Sequence, residues 1–145
     1  MNDPHAELKE RNRQLIEDYR QKRGKVGPEH DLGNRTVLLL TTTGAKSGRE
    51  HTNPLTYLPD QGRFVVFASF QGSKQVPDWY ANLVANPEVT VEVGDDTFKT
   101  RPKILKEGPE RDRLFAAQVA RQPQFGEYEK RTTRVIPAVI LERPS

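Results

Sequence analysis

The sequence predicts a mainly β, α+β domain: a small closed or half-open barrel with helices packed outside it. Three observations predict it. Runs such as VLLL, FVVFASF, VTVEV and RVIPAVIL are dense in β-branched and aromatic residues and outnumber the helical stretches. The turns between most of these runs are short, which favours antiparallel neighbours. Two helical segments then interrupt the strand series, as in a β domain with helices added to its outside.

Along the chain, Asp3-Pro4 caps and starts a first helix, Pro taking the first helical position. Leu8, Leu15, Ile16 and Tyr19 share one side of it, and Gly24 ends it. The organisation expected is a helix over 1–24, a turn-rich linker over 25–34 and the barrel over 35–145. Thr36 to Thr43 reads as a buried strand and Thr52 to Leu58 as its partner. A turn at Pro59 to Gly62 follows, then a third strand from Arg63 to Phe70. Pro77-Asp78 opens a short helix through Trp79, Tyr80, Leu83 and Val84, closed by Asn86-Pro87. Glu88 to Val93 and Thr97 to Leu105 form a hairpin around Gly94-Asp95-Asp96, with one wet face. Gly108-Pro109 starts a helix carrying Leu114, Phe115, Gln118 and Val119. A shorter helix follows Pro123, and Val135 to Leu141 is the last strand.

Composition narrows the function. The chain has 145 residues, enough for one core, with 34% hydrophobic and 30% charged residues. Net charge is +3 from 23 basic and 20 acidic residues, interspersed, so no concentrated basic face for nucleic acid is expected. No apolar run approaches the ~20 residues of a membrane-spanning helix. MNDPHAELKERNRQ lacks the apolar centre of a secretory signal, so a cytoplasmic location is expected. The absence of cysteine excludes disulfides, thiol catalysis and cysteine-ligated metal. His5, His30 and His51 show no ligand spacing, and Ser69 lies in A-S-F rather than a G-x-S-x-G elbow.

The segment TTTGAKSGRE, Thr41 to Glu50, stands out between two apolar runs. It fails both the phosphate-loop pattern and G-x-G-x-x-G. Gly44 and Gly48 nevertheless let the backbone present successive N–H groups to an anion, beside Lys46, Ser47 and Arg49. Composition alone favours an ordinary exposed hairpin loop. In ASFQGSKQVPDWYANLVANP, adjacent Trp79 and Tyr80 are expected to point apart, one inward and the other lining something else, although two aromatics anchoring a short helix is the stronger reading of this segment alone.

Together, LLLTTTGAKSGREHTNPLTYL, VVFASFQGSKQVPDWYANLVANPEVTVEV and the terminal RVIPAVILER closely resemble the deazaflavin-dependent nitroreductase family, over roughly Arg35 to Arg143. The resemblance implies a split β-barrel of the flavin-reductase-like, FMN-binding type. It also implies the deazaflavin coenzyme F420, whose phosphodiester and poly-glutamate tail make it strongly anionic. By resemblance, Lys46, Ser47 and Gly48 hold the phosphate, with Arg49 near. Pro54, Ala68, Ser69, Asp78 and Trp79 line the deazaflavin ring. The family pattern departs at Ala45 and His51, where basic residues are usual; Arg49 supplies a nearby cation and His51 can still donate. The substrate segment matches Gln124 to Thr132, with Phe125 in place of a tyrosine, Tyr128 matching one, and Arg131 replacing a further aromatic.

The activity this implies is hydride transfer from reduced F420 to a quinone, enone or nitroaromatic, with Tyr128 or Ser69 bonded to the acceptor oxygen. FMN on the same fold is the alternative cofactor, and storage of a cofactor or hydrophobic ligand without turnover is the non-enzymatic reading. If the acceptor is a membrane quinone, the stripe of Leu8, Leu15, Ile16 and Tyr19 can rest at the inner face of the membrane or form a lid. The sequence carries no signal for an oligomeric state.

Overall fold

Val37 to Leu40 are four consecutive buried apolar residues, so strand β1 (Val37–Thr43) must be covered on both faces. In the computed structural model, which describes residues 4–21, 37–68, 77–94, 96–131 and 136–144, it is. The side chains of 4–9, 11, 12, 128, 129 and 131 lie outside that description, as do the linker over 25–34, Ser69 and Asp95.

The strands after β1 are β2 (Glu50–Thr56), β3 (Leu58–Asp60), β4 (Arg63–Phe67), β5 (Val89–Val93), β6 (Asp96–Thr100), β7 (Lys103–Leu105) and β8 (Ala138–Leu141). Among the described residues they form two antiparallel sheets, ordered β2-β1-β5-β6 and β3-β4-β8-β7. The edge strands of the first sheet run on into the edge strands of the second. β2 passes into β3 at Tyr57, and β6 passes into β7 at Arg101-Pro102. Two strands shared at the corners close the sheets into a barrel.

These corners correct two expectations. Thr97 to Leu105 is not one strand, because Pro102 brings no N–H to a ladder and the chain changes sheets there. Thr52 to Leu58 likewise divides at Tyr57, and the first of its strands begins two residues earlier, at Glu50. The turn expected at Pro59 to Gly62 tightens to Gln61-Gly62, with Pro59 and Asp60 still paired to Phe64 and Arg63. Positive φ at both turn residues, 51° and 81°, matches the twist of a two-residue hairpin.

Helix α1 is Pro4–Gln21, α2 Asp78–Ala85, α3 Pro109–Arg121 and α4 Gln124–Arg131. Leu38 and Leu40 face the barrel interior with Phe64, Val66, Val89, Val91, Val139 and Leu141. Trp79, Tyr80 and Leu83 of α2 plug the same cluster. Both aromatics of α2 are buried, with rings edge to face 6.3 Å apart. The two aromatics thus anchor the helix, and neither is left to line something else, because a helix that plugs a barrel is covered on more than one side.

Outside the second sheet, Val65, Phe67, Ala138 and Ile140 pack against Leu114 and Phe115 of α3 and Phe125 of α4. Outside the first, Val37 and Leu39 pack against Tyr19 and Ile16 of α1. Each such apolar side chain contributes ~1.5–3 kcal/mol on burial, so the three clusters, rather than the exposed ion pairs, hold the fold. Leu15 and Tyr19 are buried, which spends on the sheet two residues of the stripe considered for a lipid surface. No helix among the described residues is long and apolar enough to cross a membrane.

Candidate functional site

The β1–β2 hairpin tip is built around two glycines. Gly44 N–H donates to the Arg49 carbonyl at 2.7 Å, adding a rung beyond the strands, and Gly48 N–H donates back to the Gly44 carbonyl at 3.0 Å. The five residues from Gly44 to Gly48 thus make a single helix-like turn, whose early N–H groups find no acceptor inside it. Gly48 sits at φ 70°, which disfavours any side chain. A Cβ on Gly44 would stand 2.5 Å from Ser47 Oγ and 3.1 Å from His51 Nε2.

Helix α2 completes this turn. Ala45 N–H donates to Asn82 Oδ1 at 3.0 Å, and Asn82 Nδ2 donates to Thr42 Oγ1 at 3.2 Å. One helical turn on, Asn86 Nδ2 donates to the Thr43 carbonyl at 3.2 Å. Ser47 Oγ accepts the Arg49 N–H at 3.2 Å, leaving its own hydrogen to donate elsewhere. With Ala45 and Arg49 N–H satisfied, those of Lys46 and Ser47 have no partner among the described residues. Neither the Lys46 ammonium nor the Arg49 guanidinium has an ion-pair partner among them.

Lys46 and Ser47 border a cleft of about 860 Å³. One wall is Gly44 to Ser47, Glu50 to Asn53, and Asp78, Ala81 and Asn82 of α2; the other is Arg13, Ile16, Glu17 and Arg20 of α1. Tyr19 fixes that second wall. Its hydroxyl donates to the Val37 carbonyl at 2.8 Å and accepts the Gly94 N–H at 3.0 Å. Burial pushes the Tyr19 hydroxyl above its usual range, so it stays protonated as a donor. Arg20 Nη2 lies 2.8 Å from Glu92. Arg13 is paired with Glu10 and Glu17, and its hydrogen bond holds the Glu10 carboxyl below the usual range. Arg13 and Arg20 are thus neutralised, whereas the cations of the hairpin tip have no ion-pair partner among the described residues.

Lys46, Ser47, His51 and Asp78 therefore meet at one cleft, with Gly48 and Arg49 in the same turn. Three residues expected at the ring do not line this cleft. Trp79 is in the barrel core, and Pro54 is half-buried on edge strand β2 opposite Leu39. Alternation from the Gly44–Arg49 rung turns the Pro54 nitrogen away from β1, so its missing N–H costs no ladder bond. Ala68 is fully buried where β4 ends, its N–H on the Pro137 carbonyl at 3.2 Å. Ser69 falls outside the described residues. Tyr128 lies on α4, which packs through Phe125 against Phe67, the last residue of β4.

A bound group with a phosphodiester and carboxylates fits the two N–H groups, the Ser47 O–H and the Lys46 and Arg49 cations of the turn, although the Glu50 and Asp78 carboxylates border the same cleft. The family comparison decides which group. The model of the family described as F420H(2)-dependent quinone reductase matches residues 11–143. The chain belongs to this family. An F420H(2)-dependent quinone reductase of Mycobacterium tuberculosis is 37% identical over 130 residues, covering 86% of this chain and 85% of its own length. A solved F420-H2 dependent reductase is 38% identical, with TM-score 0.67, covering 74% of this chain and 95% of that one. A solved chain described as a domain-swapped dimer is 34% identical, with TM-score 0.69, covering 97% and 100%.

The fold of this quinone reductase family member is thus the split β-barrel of F420 reductases, and the protein is an oxidoreductase whose coenzyme is F420. The family description narrows the three expected acceptors to a quinone. Sequence reading missed Asn82 and Asn86, and it offered α1 as a lid through its apolar stripe without the Arg13, Glu17 and Arg20 side chains that line the cleft. The signal for the asparagines was present: two amides four apart in PDWYANLVANP, on a helix otherwise apolar, need buried partners.

Proposed function

We propose that this chain reduces a quinone to its quinol with reduced F420, holding the cofactor's phosphodiester at the Gly44 to Arg49 turn. The observation that carries this reading is the set of donors without partners among the described residues: the Lys46 and Ser47 N–H groups and the Lys46 and Arg49 cations. When bound, reduced F420 supplies the hydride, and water supplies the proton that completes the quinol.

The remaining roles belong to the chain. Lys46, Ser47 and Arg49 neutralise and orient the phosphodiester, with His51 as a further donor at the cleft. Asn82 and Asn86 keep the turn at a fixed distance from α2, whose first residues, Asp78 and Trp79, follow Pro77. Pro54, Ala68 and Ser69 contribute the apolar slot for the ring. Tyr128 or Ser69 hydrogen-bonds the acceptor oxygen as negative charge grows there. Peripheral contact with the inner face of a membrane belongs to the same reading, because membrane quinones would be met there.

Fluorescence titration with F420 and with FMN tests the proposal, together with oxidation of reduced F420 by a soluble naphthoquinone. The reading predicts tight F420 binding and quinone-dependent oxidation. Tight FMN binding without F420 binding contradicts it. Tight F420 binding with no oxidation by any quinone shows a carrier instead.

A further inference from the structure

Two elements serve the acceptor side: the end of β4, which leads into Ser69, and α4, which carries Tyr128. One aromatic ring joins them. Phe67, the last residue of β4, packs edge to face against Phe125 of α4 at 6.1 Å and against Phe115 of α3 at 5.6 Å. Phe67 stands two positions before Ser69, and Phe125 stands three before Tyr128, on neighbouring turns of one helix.

Arg111 of α3 grips this assembly from beneath. It is buried, and its Cζ lies 4.5 Å from the Phe115 ring centroid. Its Nε and Nη2 both donate to the Ile136 carbonyl, at 3.1 and 3.0 Å. The next residue, Pro137, offers its carbonyl to the Ala68 N–H at 3.2 Å, and Ala138 pairs with Phe67. Arg111 is itself held firmly, since the residues near it on α3 reach the start of β4. Glu110 lies 3.3 Å from Arg63, and Arg113 lies 3.2 Å from Asp60. Helix α3 is thus tied to both ends of β4, and Arg111 makes the tie at the end nearer Ser69. Arg111, Phe115, Phe67 and Phe125 do not line the cleft at the hairpin tip.

We infer that Arg111 is a positioning residue for quinone reduction: through the Ile136 carbonyl and the Phe115, Phe67 and Phe125 rings it sets the separation between the end of β4 and α4. The inference rests on the reading that Ser69 or Tyr128 bonds the acceptor oxygen. Reduction requires the acceptor to sit in a near-attack geometry, where a displacement of ~1 Å costs on the order of 10²-fold in rate. A lysine would keep the charge but not the planar fork that puts two donors on one carbonyl.

The test is steady-state oxidation of reduced F420 by a soluble naphthoquinone, with an F420 titration alongside, on the full chain below the melting temperature of each variant. Arg111→Met should lower kcat about tenfold or more and leave the Kd of F420 unchanged. Arg111→Lys should recover part of that loss. Phe125→Leu, which loosens the same stack and leaves the Arg111 donors in place, should also lower kcat without changing the Kd. The double variant should lose less than the product of the single losses, because both act on one separation. An unchanged kcat in Arg111→Met, equal loss of kcat and F420 affinity, or fully multiplicative losses in the double variant would each overturn the inference. Should Arg111→Met fail to fold, Arg111→Lys and Phe125→Leu carry the same comparison. The underlying reading fails by a different result: wild-type kcat in both Tyr128→Phe and Ser69→Ala.

Discussion

Asn82 Oδ1 accepts the Ala45 N–H at 3.0 Å, so a side chain buried beneath α2 sets the shape of the hairpin turn that bears Lys46. Its amide holds Thr42 Oγ1 at the same time, which makes the contact two-sided. Helix and turn move as one body.

Asn82→Ala should therefore destabilise the protein by about 1–3 kcal/mol, the cost of stranding a buried donor and a hydroxyl. It should also weaken F420 binding beyond what the lost stability explains, since the Lys46 and Ser47 N–H groups lose their orientation. Thermal melting and cofactor titration, compared side by side, check both effects. A fall in melting temperature with an unchanged Kd at a temperature where the variant stays folded would show that the amide only supports the fold.

The two glycines of the turn should respond differently to alanine. At Gly44 the new methyl meets Ser47 Oγ at 2.5 Å, so the hydroxyl must rotate and the Arg49 N–H loses its acceptor. At Gly48 nothing lies within 4 Å, but φ 70° costs an L-residue roughly 1–2 kcal/mol. Gly44→Ala should show mainly as weaker cofactor binding, and Gly48→Ala mainly as lower stability. Kd and melting temperature, measured on both variants, separate the two effects.

Asp60 lies between Arg113 and Arg63, and those guanidiniums hold its carboxyl below the usual range, Arg113 first. A lowered folded-state pKa means that its contribution to stability is present above the unfolded value, near ~3.9, and is lost as pH falls through the folded value. Stability should drop on the acid side below about pH 4. Asp60→Asn should flatten that drop in chemical denaturation measured across pH. An acid limb of unchanged steepness would assign it to other carboxylates.

Tyr128→Phe should lower kcat on the order of 10²-fold, as loss of one donor to a developing oxyanion does, with little change in F420 affinity. Steady-state kinetics with a soluble quinone, alongside a cofactor titration, measures both. Loss of both in equal proportion, or of neither, would remove Tyr128 from the acceptor site.

Much of this arrangement was legible in the sequence, and the parts that were not share a cause. VLLL announced a strand covered on both faces, and Pro77, Pro109 and Pro123 marked the starts of three helices. The Gly44–Gly48 spacing left open a turn that presents N–H groups, beside the ordinary exposed hairpin loop that composition favoured. The barrel was expected, but the corners at which its two sheets join were hidden. Tyr57 is a good strand residue with no local reason to interrupt one, yet the chain must change sheets there. Pro102 did carry a local signal, a missing N–H within a predicted strand. The burial of both Trp79 and Tyr80 follows from α2 plugging the barrel, a tertiary fact that no neighbouring residue encodes. The α1 wall was hidden for the same reason: Arg13 and Lys46 lie 33 positions apart and meet only across the cleft.

The most direct test is the F420 dissociation constant of the Lys46→Ala plus Arg49→Ala variant, measured by calorimetry against the wild type. Loss of both cations at the phosphodiester grip predicts weakening on the order of 10²-fold or more, with melting temperature unchanged because neither side chain has a partner among the described residues. An unchanged dissociation constant would contradict the account.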